Sequence, residues 1–138
     1  MKTHVHDAFL ALVTDAEQRD AVTESGWCAI QCIRNPSEQV QLAAVMQNGY
    51  AINYIANPSE AVQLAAVTND GWYALQFIKN PSEALQIAAV TKDGYYAIQF
   101  IEDPSEALQI TAVTKDGCFA LHCIKDPSEA VKRAALGQ

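Results

Sequence analysis

Three sets of side chains in this sequence have types and spacings that invite a chemical reading: a series of rings and amides, two close cysteine pairs, and acidic residues at a regular interval. Trp27-Gln31-Arg34, Trp72-Gln76-Lys79, Tyr95-Gln99-Glu102 and Cys118-His122-Lys125 each place their members at i, i+4 and i+7, which is one helix face; Tyr50-Asn53-Ala56 is a shortened version. Trp and Tyr offer rigid contact area and a polar handle, and Gln and Asn offer paired donors and acceptors, so such a face suits protein recognition. The candidate binding residues are therefore Trp27, Gln31, Tyr50, Asn53, Trp72, Gln76, Tyr95, Gln99 and His122. The competing reading is structural, with the rings covering the end of a preceding helix and the amides bonding between neighbouring units. A second amide series, Gln41, Gln63, Gln86 and Gln109, lies between apolar neighbours and is expected to be internal.

Cys28 and Cys32 are one helical turn apart, and Cys118 and Cys123 bracket His122, a donor set that would suit zinc if the two ends of the chain met. In an open helical array, four repeat steps would hold them on the order of 35–40 Å apart, so no metal site is expected. Cys32 and Cys123 stand where other units carry Tyr54, Phe77 and Phe100, and are expected to be buried, reduced core residues. His4 and His6 fall near a terminus and are expected to be a loose end. The acidic residues occupy positions with structural work already assigned: Glu38, Glu60, Glu83, Glu106 and Glu129 in first turns, and Asp70, Asp93 and Asp116 beside glycines. With no nucleophile elbow, phosphate-binding loop or zinc-protease motif, no catalytic residue and no cofactor is assigned, and a non-enzymatic protein is expected.

The elements that must position these groups follow from an internal repeat. Gly26, Gly49, Gly71, Gly94 and Gly117, and likewise Pro36, Pro58, Pro81, Pro104 and Pro127, recur about every 23 residues, the length of a short helical hairpin. Pro81–Gly94 and Pro104–Gly117 differ only at Ala88 against Thr111. In each unit a Ser N-cap and a first-turn Glu start helix A, and the glycine is expected to end it in the left-handed conformation. A shorter helix B follows, closed by Asn-Pro or Asp-Pro. Helix A is apolar nearly all round (Val62, Ala65 and Ala66 on one side, Leu64 and Val67 opposite) and is expected to be buried between neighbours. The fold class predicted is all-α, an α-solenoid of two-helix repeats in a single domain over 1–138. It opens with a half repeat at 1–13, continues with repeats at 14–35, 36–57, 58–80, 81–103 and 104–126, and ends in a capping helix at 127–138. Twelve short helices are expected, with a local change of stacking at the one-residue-shorter unit around Tyr50-Ala51-Ile52. Glu17, Arg19 and Asp20 at one end and Lys132 and Arg133 at the other replace apolar or amide positions and are expected to cap the array, favouring a monomer with a homodimer as the alternative.

Composition restricts the partner. Half of the residues are hydrophobic, enough for a continuous core, and sixteen acidic against nine basic residues give a formal charge of −7, the wrong sign for gripping a phosphate backbone. Direct nucleic-acid binding is not expected. The polar amino terminus and the lack of any apolar run of roughly 18 residues lead us to expect a soluble protein without a signal peptide. The clustered cysteines fit a reduced, cytoplasmic setting.

Asn35-Pro36-Ser37-Glu38, Gln41-Leu42-Ala43-Ala44-Val45 and Asn48-Gly49-Tyr50 recur in register with small changes over residues 14 to 136. They resemble short bacterial and phage α-helical tandem repeats of unknown function, with the pattern NPSE-x-VQLAAV-x-QNGYAI-x-YI, and more distantly HEAT-like and leucine-rich-repeat-variant solenoids. The resemblance implies a right-handed superhelix and a generic recognition scaffold. Function is accordingly expected to be that of a protein-binding scaffold or adaptor whose partner is another protein. The alternative is a phage or bacterial anti-defence inhibitor, anti-CRISPR-like in action, that blocks a nucleic-acid-handling protein by phosphate mimicry.

Overall fold

The computed structural model describes residues 14–137, so the proposed opening half repeat, including Phe9, Leu10, His4 and His6, lies outside the described residues. Within them the chain is all-helical, with no strand. The elements are α1 (Asp15–Ser25), α2 (Trp27–Ile30), α3 (Glu38–Gln47), a 3₁₀ helix (Gly49–Tyr54), α4 (Glu60–Leu75), α5 (Glu83–Ile98), α6 (Glu106–His122) and α7 (Glu129–Ala135). They group into two compact units that divide between Asp70 and Gly71, inside α4. In the first, α1 packs on α3, and α2 and the 3₁₀ helix pack on each other and on α3. In the second, α6 packs between α5 and α7. No helix among the described residues is long and apolar enough to cross a membrane.

Each helix A starts as its sequence dictates. Ser37, Ser59, Ser82, Ser105 and Ser128 accept the N–H three residues on at 3.3 to 3.4 Å. The four glutamines of the second amide series complete the start: Nε2 of Gln41, Gln63, Gln86 and Gln109 donates to the carbonyl of Pro36, Pro58, Pro81 and Pro104 at 2.9 to 3.3 Å. The series is half-buried and not internal as expected, and its amides are satisfied locally, at the start of their own helices. The residue before each proline is more specialised than a helix stop. Asn35, Asn57, Asn80, Asp103 and Asp126 all have φ between 47° and 52°, in the left-handed region that Asn and Asp tolerate best among residues with a side chain.

In the later repeats helices A and B abut across a kink, so that α5 and α6 each hold one helix A and one helix B separated by a non-helical residue, Asp93 or Gly117; the count of twelve includes the opening half repeat, which lies outside the described residues. The glycines bend the chain in a different way from the left-handed helix end expected. Gly26 (φ 50°, ψ −126°) and Gly117 (φ 53°, ψ −129°) take a conformation that only glycine adopts at ease, and Gly71 also has positive φ, 47°. At α5 the bend falls on Asp93 (φ −133°, ψ 58°) and Gly94 keeps negative φ. There the requirement is space: a Cβ on Gly94 would stand 2.6 Å from Asp116 Oδ2, and one on Gly49 2.6 Å from Asp70 Oδ2. The shortened unit is wound as a 3₁₀ helix, whose rise of about 2.0 Å per residue against about 1.5 Å lets fewer residues span the same length.

The buried residues of each compact unit recur at the same positions of successive repeats and fall into sets aligned in sequence. Val40, Val62, Leu85, Leu108 and Val131 form one; Ala44, Ala66, Ala89 and Ala112 a second; Val22, Val45, Val67, Val90 and Val113 a third, all at most 1% exposed. Helix B contributes Ala29, Ala51, Ala74, Ala97 and Ala120, all fully buried. Helix A is not buried all round. Leu64 and Ile87 are 42% and 43% exposed, so the column they share with Leu42, Ile110 and Arg133 is an open edge. Arg133 therefore does not replace a core residue, which removes the basis for a cap acting through that column. Lys132 pairs with Glu129 at 3.1 Å within α7.

These two demands on glycine separate experimentally. In Gly117→Ala a new Cβ meets nothing closer than 3.7 Å, so only backbone strain is added, about 1–2 kcal/mol. In Gly71→Ala the same strain is joined by a Cβ 1.8 Å from Asp93 Oδ2. Thermal unfolding followed by circular dichroism should show a clearly larger loss for Gly71→Ala; equal losses would mean that the Asp93 contact contributes nothing.

Candidate functional site

Helix B begins at a fixed anchor. In three repeats a carboxylate from the next repeat accepts the N–H that opens it: Asp70 Oδ2 from Gly49, Asp93 Oδ2 from Trp72 at 3.2 Å, and Asp116 Oδ2 from Tyr95 at 2.6 Å, whereas α2 opens at Gly26 with no side-chain cap. The residue preceding Asp70 adds a second tie, since Asn69 Nδ2 donates to the carbonyls of Val45 and Met46, at 3.0 and 3.2 Å. Gln47 Nε2 makes the equivalent bond to the Thr23 carbonyl at 2.7 Å. Helix B thus leaves a fixed point, and its outward side chains are presented from it.

In the first unit Trp27, Tyr50 and Tyr54 form a ring cluster. Trp27 stacks on Tyr54 (5.9 Å, 18°) and meets Tyr50 edge-on (6.0 Å, 84°), and the two tyrosines are edge to face at 5.6 Å. Trp27 is 38% exposed, Tyr50 half-buried, and Gln31 and Asn53 exposed. A hydrogen bond to Tyr50, reinforced by burial, raises the pKa of the Tyr54 phenol above its ordinary value.

The second unit holds Trp72, Gln76, Tyr95, Gln99 and His122. Trp72 and Tyr95 are half-buried, and Gln76, Gln99 and His122 are exposed. Trp72 stacks on Phe100 (5.4 Å, 12°) and on Tyr96 (5.7 Å, 27°), while Tyr95 touches Tyr96 at 4.9 Å and Phe119 at 6.3 Å. The tryptophan is thus the floor of the patch. The rings that face solvent are Tyr73, Tyr96 (54%), Phe100 and Phe119 (73%), none of which the i, i+4, i+7 pattern selects. Their sequence signal is the second ring beside the first, in Trp72-Tyr73 and Tyr95-Tyr96.

Two of the amides bond within their own helices and not between repeats. Gln31 Nε2 and Gln99 Nε2 turn back to the carbonyls of Trp27 and Tyr95, four residues earlier on their own helices, at 3.3 and 3.0 Å. Their oxygens remain available at the surface.

Cys32 and Cys123 are half-buried, not core, as are Tyr54 and Phe77 at the same repeat position, where Phe100 is exposed. All four thiols are free, Cys28 and Cys118 are exposed, and burial pushes the Cys123 thiol up. Among the described residues no group of His, Cys, Asp and Glu side chains comes together at metal-binding range. Compared with family models, curated proteins and solved structures, the chain has no match.

The Tyr50–Tyr54 contact gives a pH signature. Because the hydrogen bond favours neutral Tyr54, Tyr50→Phe should lower the pKa of Tyr54 towards the ordinary tyrosine value, about 10. Ultraviolet tyrosinate titration of Tyr50→Phe against Tyr54→Phe resolves it; an upward shift in Tyr50→Phe would contradict the stated cause.

Proposed function

We propose that this chain is an α-solenoid of two-helix repeats that acts as a non-catalytic protein-binding scaffold, with the outward face of helix B as its binding surface. The observation that carries the reading is the ring patch of the second unit, where exposed Tyr73, Tyr96 and Phe100 rest on a half-buried Trp72 and exposed Phe119 meets half-buried Tyr95. Rings held in place by other rings lose little freedom when a partner docks, which is how interface anchors gain affinity. The solenoid part of the reading is supported by the recurrence of small aliphatic core residues at the same positions of successive repeats and by the three carboxylate anchors from one repeat to the one before it. The resemblance to HEAT-like repeats agrees with it and carries the right-handed superhelix into the proposal. Free, exposed thiols suit a reducing cytoplasm.

The disposition of the acidic residues favours a scaffold over a phosphate mimic. The first-turn carboxylates come one per helix A, which spaces them by roughly 8–10 Å when helices pack side by side. That is coarser than the roughly 3.4 Å per nucleotide along one DNA strand. Several are also engaged: Ser37 Oγ donates to Asp15, Ser59 Oγ to Glu38 at 2.5 Å, and Ser128 Oγ to Glu106 at 3.3 Å.

Tyr96→Ala with Phe119→Ala tests the scaffold. Both side chains are exposed, so the helical circular dichroism should be retained, while affinity for a protein partner captured from native lysate should fall by roughly 2 kcal/mol or more. Capture of the same partners with unchanged affinity would move the binding surface away from helix B.

A further inference from the structure

The position two residues before each repeat glycine changes character along the chain. In the first unit it holds Glu24 and then Gln47 and Asn69, two amides spent on carbonyls of the preceding helix A. In the second it holds Lys92 and Lys115, both exposed. Neither lysine has an ion-pair partner among the described residues, where the ion pairs are Arg19–Asp15 and Lys132–Glu129. Both line one groove of about 450 Å³ with Asp93, Tyr95, Tyr96, Asp116 and Phe119. The two aspartates in that groove are committed to the N–H groups that open helix B. Their charge therefore meets the positive end of a helix dipole. Two unpaired ammonium groups thus flank an open aromatic floor on a protein whose formal charge is −7.

We propose that this groove takes an extended, acidic peptide segment, with an aromatic or aliphatic side chain seated against Tyr95, Tyr96 and Phe119 and a carboxylate on each side paired with Lys92 and Lys115. The proposal rests on the scaffold reading and specifies its ligand. Helices packed side by side lie roughly 8–10 Å apart. An extended chain covers about 10 Å in three residues. The recognised pattern is therefore an acidic residue, two residues of which one is a large apolar anchor, and a second acidic residue. A nucleic acid would satisfy the lysines and stack on the rings, but its remaining phosphates would face a net-negative surface, and two cations neutralise little of a polyanion.

The test is selection of a random linear 12-residue peptide library on the immobilised full chain and on Lys92→Gln/Lys115→Gln. The expected result is enrichment of peptides with two acidic residues three apart around a large apolar residue, lost on the lysine variant. A synthetic enriched peptide should bind the variant about tenfold more weakly in fluorescence anisotropy, and its Glu→Gln analogue should lose the same factor on the natural chain and nothing further on the variant. Lys92→Arg/Lys115→Arg should retain the affinity. Enrichment of apolar peptides without acidic residues, abolished by Phe119→Ala, would overturn the acidic ligand and leave the scaffold standing. No enrichment on either protein would overturn both. Two further results would overturn the peptide as occupant: a labelled single-stranded oligonucleotide that binds and is lost on the lysine variant, or a concentration-dependent dimer in sedimentation equilibrium that Phe119→Ala dissolves.

Discussion

A carboxylate that reaches back from one repeat to the N–H opening helix B of the repeat before it is the constraint on which the rest of this structure depends. Asp70, Asp93 and Asp116 make the bond to Gly49, Trp72 and Tyr95. A charge-assisted hydrogen bond of this kind contributes roughly 1.5–3 kcal/mol, and it adds a favourable interaction with the helix dipole. Its geometric consequences are larger than its energy. The carboxylate passes so close to Gly49, Gly71 and Gly94 that a methyl group at any of them would collide with it. The glycine column therefore survives even where the backbone does not need positive φ. Because the bond fixes where helix B begins, it also fixes which of its side chains face the solvent.

Around that anchor the polar groups are satisfied by near neighbours, and the core needs nothing but aliphatic side chains. The Ser N-caps, the Gln side chains on proline carbonyls and the Asn or Gln ties to preceding helices each meet a backbone group that a helix end leaves over. Among the described residues no buried side-chain nitrogen or oxygen lacks a partner, and no polar or charged residue is buried. Alanine at Ala44, Ala66, Ala89 and Ala112 lets helices approach closely, and valine or leucine four residues before each fills the space that remains. Rings are thereby excluded from the interior. They gather along helix B, where they pack on one another.

Much of the helical architecture was legible in the sequence because it is written in residues with strong local preferences. Ser N-caps, prolines and the apolar columns place helix A within a residue or two in every repeat. What escaped is tertiary in origin. The left-handed Asn and Asp before each proline looked like a helix stop, since their backbone angle is set by the turn. Gly94 looked like a helix end because nothing local reveals that Asp116 will occupy the space beside it. Leu64 and Ile87 made helix A look buried on all sides, although hydrophobicity alone does not say whether a neighbour covers that side. The ring face was found in part. Columns through Trp27, Tyr50, Trp72 and Tyr95 were identified, but the more exposed Tyr96 and Phe119 stand one residue later, a third of a turn around the helix. Cys32 and Cys123 were misplaced for a related reason: ring neighbours in a column imply a core only if the rings themselves are inside.

The two most similar repeats separate frame from face within one molecule. Pro81–Gly94 and Pro104–Gly117 differ at a single position, Ala88 against Thr111, and both of those residues are half-buried on helix A. Immediately beyond the glycine the same two repeats part: Tyr95 against Cys118, Tyr96 against Phe119, Gln99 against His122, Phe100 against Cys123 and Glu102 against Lys125. Where helix B turns inward the difference vanishes or becomes one aliphatic for another: Ala97 matches Ala120, Ile101 matches Ile124, and Ile98 faces Leu121. The segments that cap, bend and anchor have one physical solution each and keep it. The positions that have diverged are mainly those open to solvent, with rings, amides and charges in different combinations from repeat to repeat, where a substitution costs the fold little.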